Sequence, residues 1–345
     1  MPGATECASF TVGLISRRCS TRSAAPVVQS GRSSLRVVCA AGSEKMTVSI
    51  TGATGLVGSR LASKLASQGH KVRVLARDVS KAKSKLPYPG LEFFAPAQWS
   101  QAISGSTGIA NLAGEPIATR WTPELKATIK SSRVNVTKSL VEAMKATPAN
   151  LRPKVLVSSS AVGFYGTSNT STFNDDSPSG TDYLSQVCRE WEAAATEAEA
   201  LGVRVCLMRT GIVLARERGA LGKMLPVFQV FAGGPLGTGK QWMSWIHRDD
   251  LVAMFIEALQ NPAYSGPYNA TAPKPVRMNE LCGAIGSILG RPSWLPVPDF
   301  ALQSLLGEGA TVVLDGQRVL PTKIQGAGFS YKFPEVSSAL ESLLN

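Results

Sequence analysis

A glycine triplet, Gly52-x-x-Gly55-x-x-Gly58, constrains the fold of this chain more than any other feature. It directly follows a β-rich segment and precedes a segment whose apolar residues recur at helical spacing. A second β-rich segment comes next, so that the whole pattern falls within about 30 residues. The predicted order is strand, turn, helix and strand, over residues 46–50, 52–58, 59–68 and 71–76. This order predicts a βαβ unit, whose two strands pair in parallel.

Such a loop is typical of dinucleotide binding. The first glycine permits a tight turn, the second lets the backbone approach a pyrophosphate, and the third allows close helix–strand packing. The start of the helix adds free N–H groups and a partial positive charge. The alternative is an ordinary tight turn between a strand and a helix. The residues expected to contact the cofactor here are Thr51, Gly52, Thr54, Gly55, Leu56, Val57 and Gly58.

The end of the second strand distinguishes the two nicotinamide cofactors. Sites for NAD usually place an acidic residue there for the ribose 2′-hydroxyl. Here the strand ends in Ala76 and Arg77. Arg77, helped by Lys81, predicts a site for a 2′-phosphate and therefore NADP (NADPH) as the cofactor. Asp78, one residue further on, leaves NAD open, and both cations could instead be solvated.

Strands and helices continue to alternate after this unit. Further strands are predicted at 91–94, 109–112, 155–158 and 204–209, and helices at 78–86, 123–146, 184–201, 249–259 and 278–289. This alternation predicts the α/β class, with a Rossmann-type, doubly wound parallel sheet and a smaller C-terminal substrate lobe. We expect the dinucleotide-binding domain, with parts of the substrate lobe, over 46–290 and a small C-terminal domain over 291–345.

Residues 1–45 have a different composition, rich in serine, alanine and arginine and nearly free of acids. They lack the apolar region of a secretory signal and predict an organelle transit peptide. Small residues after Arg36 resemble a plastid processing site, so a chloroplast location is favoured over a mitochondrial one. A disordered cytosolic tail is the remaining alternative.

Composition excludes several other functions. The six cysteines include no Cys-x-x-Cys pair and there are only two histidines, so we predict no disulfide framework and no metal site. No apolar run is long enough to span a membrane. The net charge of +12 comes without basic blocks interleaved with aromatic residues, so we predict no nucleic-acid partner. A lipid surface or a phosphorylated ligand stays compatible with that charge.

Several segments resemble a known family. The loop at 51–58, Asn111-Leu112-Ala113-Gly114, the segment SSSAVGFYG at 158–166 and Arg209-Thr210-Gly211 are similar to those of an atypical extended short-chain dehydrogenase/reductase. More closely, NLAGEPI, RWT, GKMLP, GGPLGTGKQ and WIHRDD resemble a sugar-epimerase-like family with bacterial and plant plastid members. The resemblance covers 46–343, including the small C-terminal domain that is typical of this family.

The resemblance implies roles for single residues. It places Asn111, Leu112, Ala113 and Gly114 beside the nicotinamide ribose. It makes Ser160 a hydrogen-bond partner of a substrate oxygen and Tyr183 the acid/base. Active members carry a lysine four residues after the tyrosine, and here that position is Val187. An isolated phenol is a poor base at pH 7, so proton transfer is expected to be impaired.

Each of these residues also has a structural interpretation. Ser160 could cap a turn, and Tyr183 and Tyr165 could be packed aromatic residues. His247 with Asp249 and Asp250 could be a base with its orienting acids, line the substrate cleft, or cap a helix. Lys240 and Gln241 could face a substrate phosphate or solvent.

Two functions therefore stay open. The first is an NADP-dependent oxidoreductase or epimerase-like protein of the plastid stroma, acting on an unknown small molecule. The second is a non-catalytic NADP-binding regulator, which the resemblance links to chloroplast division. A sensor of the NADPH/NADP ratio is a third hypothesis. A homodimer and peripheral contact with the inner envelope are the expected assemblies.

Overall fold

The structure, a computed structural model, describes residues 44–345. The expected transit peptide, apart from its last two residues, lies outside this range. Among the described residues, no helix is both long and apolar enough to cross a membrane.

Two lists give the bounds of the elements in chain order. The strands are β1 (Thr47–Thr51), β2 (Lys71–Leu75), β3 (Leu91–Phe94), β4 (Gly108–Asn111), β5 (Val155–Ala161), β6 (Thr172–Phe173), β7 (Arg204–Thr210), β8 (Ile212–Leu214), β9 (Trp242–Met243), β10 (Trp245–His247), β11 (Gly266–Ala270), β12 (Val276–Arg277) and β13 (Arg318–Val319). The helices are α1 (Leu56–Ser67), α2 (Val79–Lys85), α3 (Trp99–Ile103), α4 (Pro123–Lys145), α5 (Tyr183–Thr196), α6 (Gly219–Gln229), α7 (Arg248–Gln260), α8 (Met278–Leu289), α9 (Asp299–Leu306), α10 (Thr311–Leu314), α11 (Thr322–Gly326) and α12 (Val336–Leu344).

Seven parallel strands form the central sheet, in the order β3-β2-β1-β4-β5-β7-β11. Val48 of β1 lies opposite Val72 of β2 on one side and Gly108 of β4 on the other. The chain therefore moves outward from β1 through β2 and β3 and then crosses back to β4. Ligands of doubly wound sheets bind at this reversal, outside the carboxyl ends of the strands.

Helices cover both faces of this sheet, so that successive residues of a strand are buried, as at the start of β5. Val155 and Val157 of β5 pack in one cluster with residues of α1 and α7, while Leu156 packs on the opposite face with Leu140 of α4. This alternation follows from the two-residue period of a strand. The predicted α/β class and Rossmann-type sheet are confirmed.

Three small two-stranded sheets stand apart from the central one: β8 with β10, β9 with β12, and β6 with β13. The C-terminal helices return to the body of the protein. Leu340 of α12 lies in the same buried cluster as Leu281 and Ile285 of α8, and Ile324 of α11 joins the cluster under α1. The expected domain boundary at residue 290 stays a prediction, and residues on both sides of it share two buried clusters.

The observed elements differ from the expected ones in two instructive places. Helix α1 begins at Leu56, three residues earlier than expected, because Gly55 acts as its extended N-cap residue. Strand β11 was missed, since its sequence, GPYNA, opens with two residues that weaken a strand.

Candidate functional site

Close backbone contacts fix two of the three loop glycines. Gly52 has a φ of +65°, and a Cβ atom on it would lie 2.3 Å from the carbonyl oxygen of Leu112. A Cβ atom on Gly58 would lie 2.3 Å from the carbonyl oxygen of Gly52. Gly55 is less crowded, with a nearest distance of 3.2 Å to the same oxygen. Any side chain at Gly52 or Gly58 would therefore push β1, α1 and the loop after β4 apart.

The N-terminus of α1 is open to a ligand. None of the described side chains caps the helix, and its first turn holds no acidic residue. The amide groups of Leu56 and Val57 therefore have no intrahelical partner. Open N–H groups together with the helix dipole make an anion-binding site. This arrangement fits a pyrophosphate group, which is the ligand that the glycine pattern predicts.

Thr51 and Asn111 face each other across the ends of β1 and β4. The Thr51 hydroxyl donates to Asn111 Oδ1 at 2.7 Å, and Asn111 Nδ2 donates to Thr137 Oγ1 at 2.8 Å and to Ser158 Oγ at 3.0 Å. Thr51 and Asn111 are both buried. Their side chains hold the sheet edge together, so a cofactor contact at these two positions would have to use the main chain.

The end of β2 presents the cation Arg77, followed by Asp78, which caps the next helix. The Asp78 side chain accepts a hydrogen bond from the Lys81 amide at 2.9 Å and thereby caps α2. The Arg77 side chain is 80% exposed, and its Nη2 lies 3.2 Å from Glu115 Oε1. The helix cap uses Asp78 Oδ1, and the exposed Arg77 is the cation at this position that can hold a 2′-phosphate.

A groove opens beside Arg77 between α3 and α4. Its volume is about 480 Å³, and it is lined in part by Pro96, Trp99, Asn135 and Val136. Arg77 is the residue by which it adjoins the end of β2, and none of its lining residues belongs to the glycine loop.

The hydroxyl of Ser160 is already engaged. It donates to Glu192 Oε1 at 2.6 Å, and Glu192 accepts two further hydrogen bonds, each 2.9 Å long, from Arg209. Burial alone would lower the pKa of Arg209, but its hydrogen bonds and charge interaction with Glu192 raise that pKa above the ordinary value. Arg209 therefore stays charged, and Glu192 links it to the hydroxyl of Ser160.

Tyr165 belongs to the same buried network. Its hydroxyl donates to Asn269 Oδ1 at 2.6 Å and accepts from Arg209 Nη1 at 3.0 Å. Burial raises the pKa of Tyr165, so its hydroxyl stays protonated. This phenol is a structural group in the described protein.

Tyr183 occupies the first turn of α5 with its hydroxyl directed at α4. The hydroxyl donates to the carbonyl oxygen of Lys126 at 2.6 Å, and the ring packs edge-on against Trp121 with centroids 5.3 Å apart. Burial raises the pKa of Tyr183, which is opposite to the change that a base needs. Val187, at the lysine position, is 2% exposed. These contacts do not favour a catalytic role, which stays a prediction for Ser160 and Tyr183.

The WIHRDD and GTGKQ segments also have structural contacts. His247 is the N-cap of α7, where its Nδ1 accepts from the Asp249 amide at 3.0 Å, and burial lowers its pKa to about 4. Asp249 pairs with Arg60 of α1 at 2.8 Å. Gln241 is buried and donates to the carbonyl oxygens of Leu236 and Val313. The structural interpretation of these residues is the one that their contacts favour.

The sequence matches two family models, which together span most of the described residues. The first, the NAD dependent epimerase/dehydratase family, matches residues 48–270. The chain belongs to this family. The second, a domain of unknown function, matches residues 297–343. The resemblance inferred from the glycine loop and the later motifs is thereby confirmed.

Individual members of the epimerase family cover nearly the whole described chain. A chloroplastic homologue of the epimerase family protein SDR39U1 from Arabidopsis thaliana is 54% identical over 312 residues, which are 89% of this chain and 90% of that one. Epimerase family protein YfhF of Bacillus subtilis is 38% identical over 87% of this chain and 98% of its own length. The crystal structure of human SDR39U1 with NADPH has a TM-score of 0.78 at 32% identity, covering 86% of this chain and 99% of that one.

Sequence reasoning about this family member missed Glu192, Asp175 and Arg133. Glu192 had a detectable signal, because it is an acid on the apolar face of α5, beside Cys188 and Trp191. A charge on a buried helix face calls for a partner. The identity of that partner, Arg209, depends on how α5 packs on β7.

Proposed function

We propose that this protein binds NADP(H) at the carboxyl edge of its sheet and is an NADP-dependent oxidoreductase or epimerase-like protein. The observation that carries the proposal is the pairing of an open α1 N-terminus with an exposed Arg77 whose neighbour Asp78 is used as a helix cap. The human relative was crystallised with NADPH, which supports the same cofactor here.

The proposed binding mode follows the strand order. The amides of Leu56 and Val57 hold the pyrophosphate over β1, and Arg77 holds the 2′-phosphate on the β2 side. The nicotinamide half then extends in the other direction, over β4 and β5. When bound, the cofactor supplies hydride-transfer chemistry at that end.

Proton transfer is the weak part of this site. The hydroxyl of Tyr183 is bonded to a main-chain carbonyl, and no lysine lies beside it at position 187. We therefore propose slow turnover of carbonyl substrates, because reduction of a carbonyl needs a proton donor.

Parallel calorimetric titrations of the full chain with NADPH, NADP, NADH and NAD test the cofactor proposal. We expect the phosphorylated forms to bind more tightly. Arg77→Gln should weaken NADPH binding about 10- to 100-fold, the range for losing a hydrogen bond to a charged group, and leave NADH binding unchanged. Lys85→Gln, an exposed cation on α2, is the matched control. Absence of binding for all four compounds would contradict the proposal.

We also propose a chloroplast location in the stroma. It is supported by the composition of residues 1–45 and by the chloroplastic relative from Arabidopsis. Residues 1–45 fused to a fluorescent protein should be imported into chloroplasts, whereas a fusion with the arginines of this segment replaced by glutamine should not. A cytosolic or mitochondrial signal from the first fusion would overturn this location.

The engaged hydroxyls of Tyr165 and Tyr183 favour a second candidate, a non-catalytic NADP-binding regulator involved in chloroplast division. Oxidation of NADPH by the wild-type protein with any of a panel of carbonyl and nucleotide-sugar substrates would exclude this regulator-only function. No oxidation of NADPH by the wild-type protein, together with activity in Val187→Lys, would favour the regulator. The homodimer, the inner-envelope contact and the redox-sensor hypothesis stay predictions.

A further inference from the structure

The nicotinamide half of the cofactor needs a binding partner that the proposed site has not yet supplied. This inference rests on the proposed function, which places that half over β4 and β5. There the loop 111–114 leaves the sheet and lies against α4. Arg133 of α4 lies in this corner.

On one side, Arg133 contacts the main chain of the loop after β4. Its Nη2 donates to the carbonyl oxygen of Glu115 at 2.9 Å, and its Nη1 donates to the carbonyl oxygen of Ile129 at 3.0 Å. A Cβ atom on Gly114 would lie 3.1 Å from the guanidinium carbon. The glycine at position 114 therefore leaves room for the guanidinium group directly beneath the loop.

On the other side, the same group faces α5 near the turn that holds Val187. The guanidinium carbon lies 5.4 Å from the centroid of the Trp191 ring. Its charge also acts on Tyr183 and Cys188, which flank position 187. The charge of Arg133 thus acts on Tyr183 from α4, as does that of Lys126, whose Nζ lies 4.5 Å from the centroid of the Tyr183 ring.

Arg133 has no acidic partner among the described residues. Both of its hydrogen bonds go to carbonyl oxygens, and the carboxylate of Glu115 is paired with Arg77 instead. A guanidinium group has five donor hydrogens, of which these bonds use two. The nearest carboxylate that acts on Arg133 is that of Glu115, which Arg77 shares. A cation that is mostly removed from water with only a shared counter-charge is costly, and an anionic ligand would offset that cost.

We propose that Arg133 binds the phosphate and ribose of the nicotinamide mononucleotide half of NADP(H). It supplies from α4 the positive charge that position 187 of α5 lacks. Arg77 and Arg133 then divide the cofactor between them, one for each half.

Two probes separate these halves: NADPH and 2′,5′-ADP, which carries only the adenosine half with its 2′-phosphate. In the full chain, Arg133→Gln should weaken NADPH binding about 10- to 100-fold and leave 2′,5′-ADP binding within about twofold. Arg77→Gln should weaken both probes. Lys130→Gln, one turn earlier on α4, is the matched control and should change neither.

Unchanged NADPH binding in Arg133→Gln, or an equal loss for both probes, would overturn the assignment of Arg133. Thermal unfolding without ligand shows whether the variant is folded. If it is not, Arg133→Lys is compared instead: it keeps the charge and loses the forked geometry, so NADPH binding should weaken by less than in Arg133→Gln while 2′,5′-ADP binding is unchanged, and an equal loss for both probes would overturn the assignment. If the wild-type protein binds neither probe, the proposed function itself fails. If it binds 2′,5′-ADP as tightly as NADPH, only the role of Arg133 fails.

Discussion

Glu192 and Arg209 form the buried ion pair that holds Ser160 of the candidate site in place. The two side chains are 10% and 6% exposed, and they join β5, α5 and β7 through Ser160. The network continues from Arg209 through Tyr165 to Asn269 of β11. One carboxylate therefore orders residues from four different segments.

Glu192→Ala should destabilise the protein by about 3–5 kcal/mol, because it leaves the Arg209 charge buried without a partner. Urea unfolding, followed by fluorescence, measures the change. Glu190→Ala is the matched control on the same helix. Its pair with Lys130 is partly exposed, so its loss should cost less than about 1 kcal/mol. A similar small cost for Glu192→Ala would show that the buried pair does not support the fold.

For single residues, the sequence predicts roles that depend on main-chain geometry better than roles that depend on side-chain contacts. The roles of Gly52 and Gly58 follow from spacing alone, because any Cβ atom collides with neighbouring backbone. The hydroxyls of Ser160 and Tyr183 were assigned from a resemblance. Their actual partners, Glu192 and the Lys126 carbonyl, lie 32 and 57 residues away in sequence, and no local pattern specifies such contacts.

Among the elements, α7 depends on an unusual cap. His247 accepts from the Asp249 amide through Nδ1, and its other ring nitrogen lies 3.2 Å from the Ser342 hydroxyl of α12. The cap requires a neutral ring, and burial holds the pKa of His247 at about 4, compared with the ordinary 6.5.

Acid should therefore lower the free energy of unfolding over a defined pH range. Between about pH 6.5 and pH 4 the unfolded chain takes up a proton on this histidine and the folded chain does not. The free energy of unfolding consequently falls as the pH falls, by up to about 3 kcal/mol from this group. His247→Asn keeps a capping acceptor but cannot titrate, so urea unfolding at several pH values should show a smaller fall.

His70→Asn serves as the comparison, since burial also lowers the pKa of His70. Its ring accepts from the Met46 amide at 3.1 Å and takes no part in the cap of α7. If His247→Asn and the wild-type protein lose stability equally over this range, the neutral cap is not the cause.

The predicted elements are most accurate where the sequence carries a clear signal at their ends. Strand β3 and helix α8 were predicted residue for residue, because Gly90 precedes the first and Gly290 follows the second, each with positive φ. Helix α6 was missed because it contains Pro226 and two glycines. The short strands of the smaller sheets are two or three residues long, and tertiary contacts rather than propensity create them.

For the whole molecule, the sequence predicts the central sheet and its covering helices, but not how the C-terminal residues attach to them. Asp175 accepts hydrogen bonds from the amides of Asn269 and Lys323, and Asp250 accepts from those of Lys332 and Phe333. Two acids in the Rossmann part therefore hold two stretches of the C-terminal segment. The pattern of these acids in sequence is ordinary, since each also suits a turn or a helix start.

This closure has a consequence for the order in which the protein is made and folded. Ala339 and Leu340 of α12 complete the cluster that contains Trp245 and Leu281. A growing chain delivers α12 after every other described element, so until then this side of the core remains open to water. The nucleotide-binding half can collapse while synthesis continues, but the native packing forms only after α12 has been made. A chain that must remain unfolded during transport would benefit from this late final step of packing.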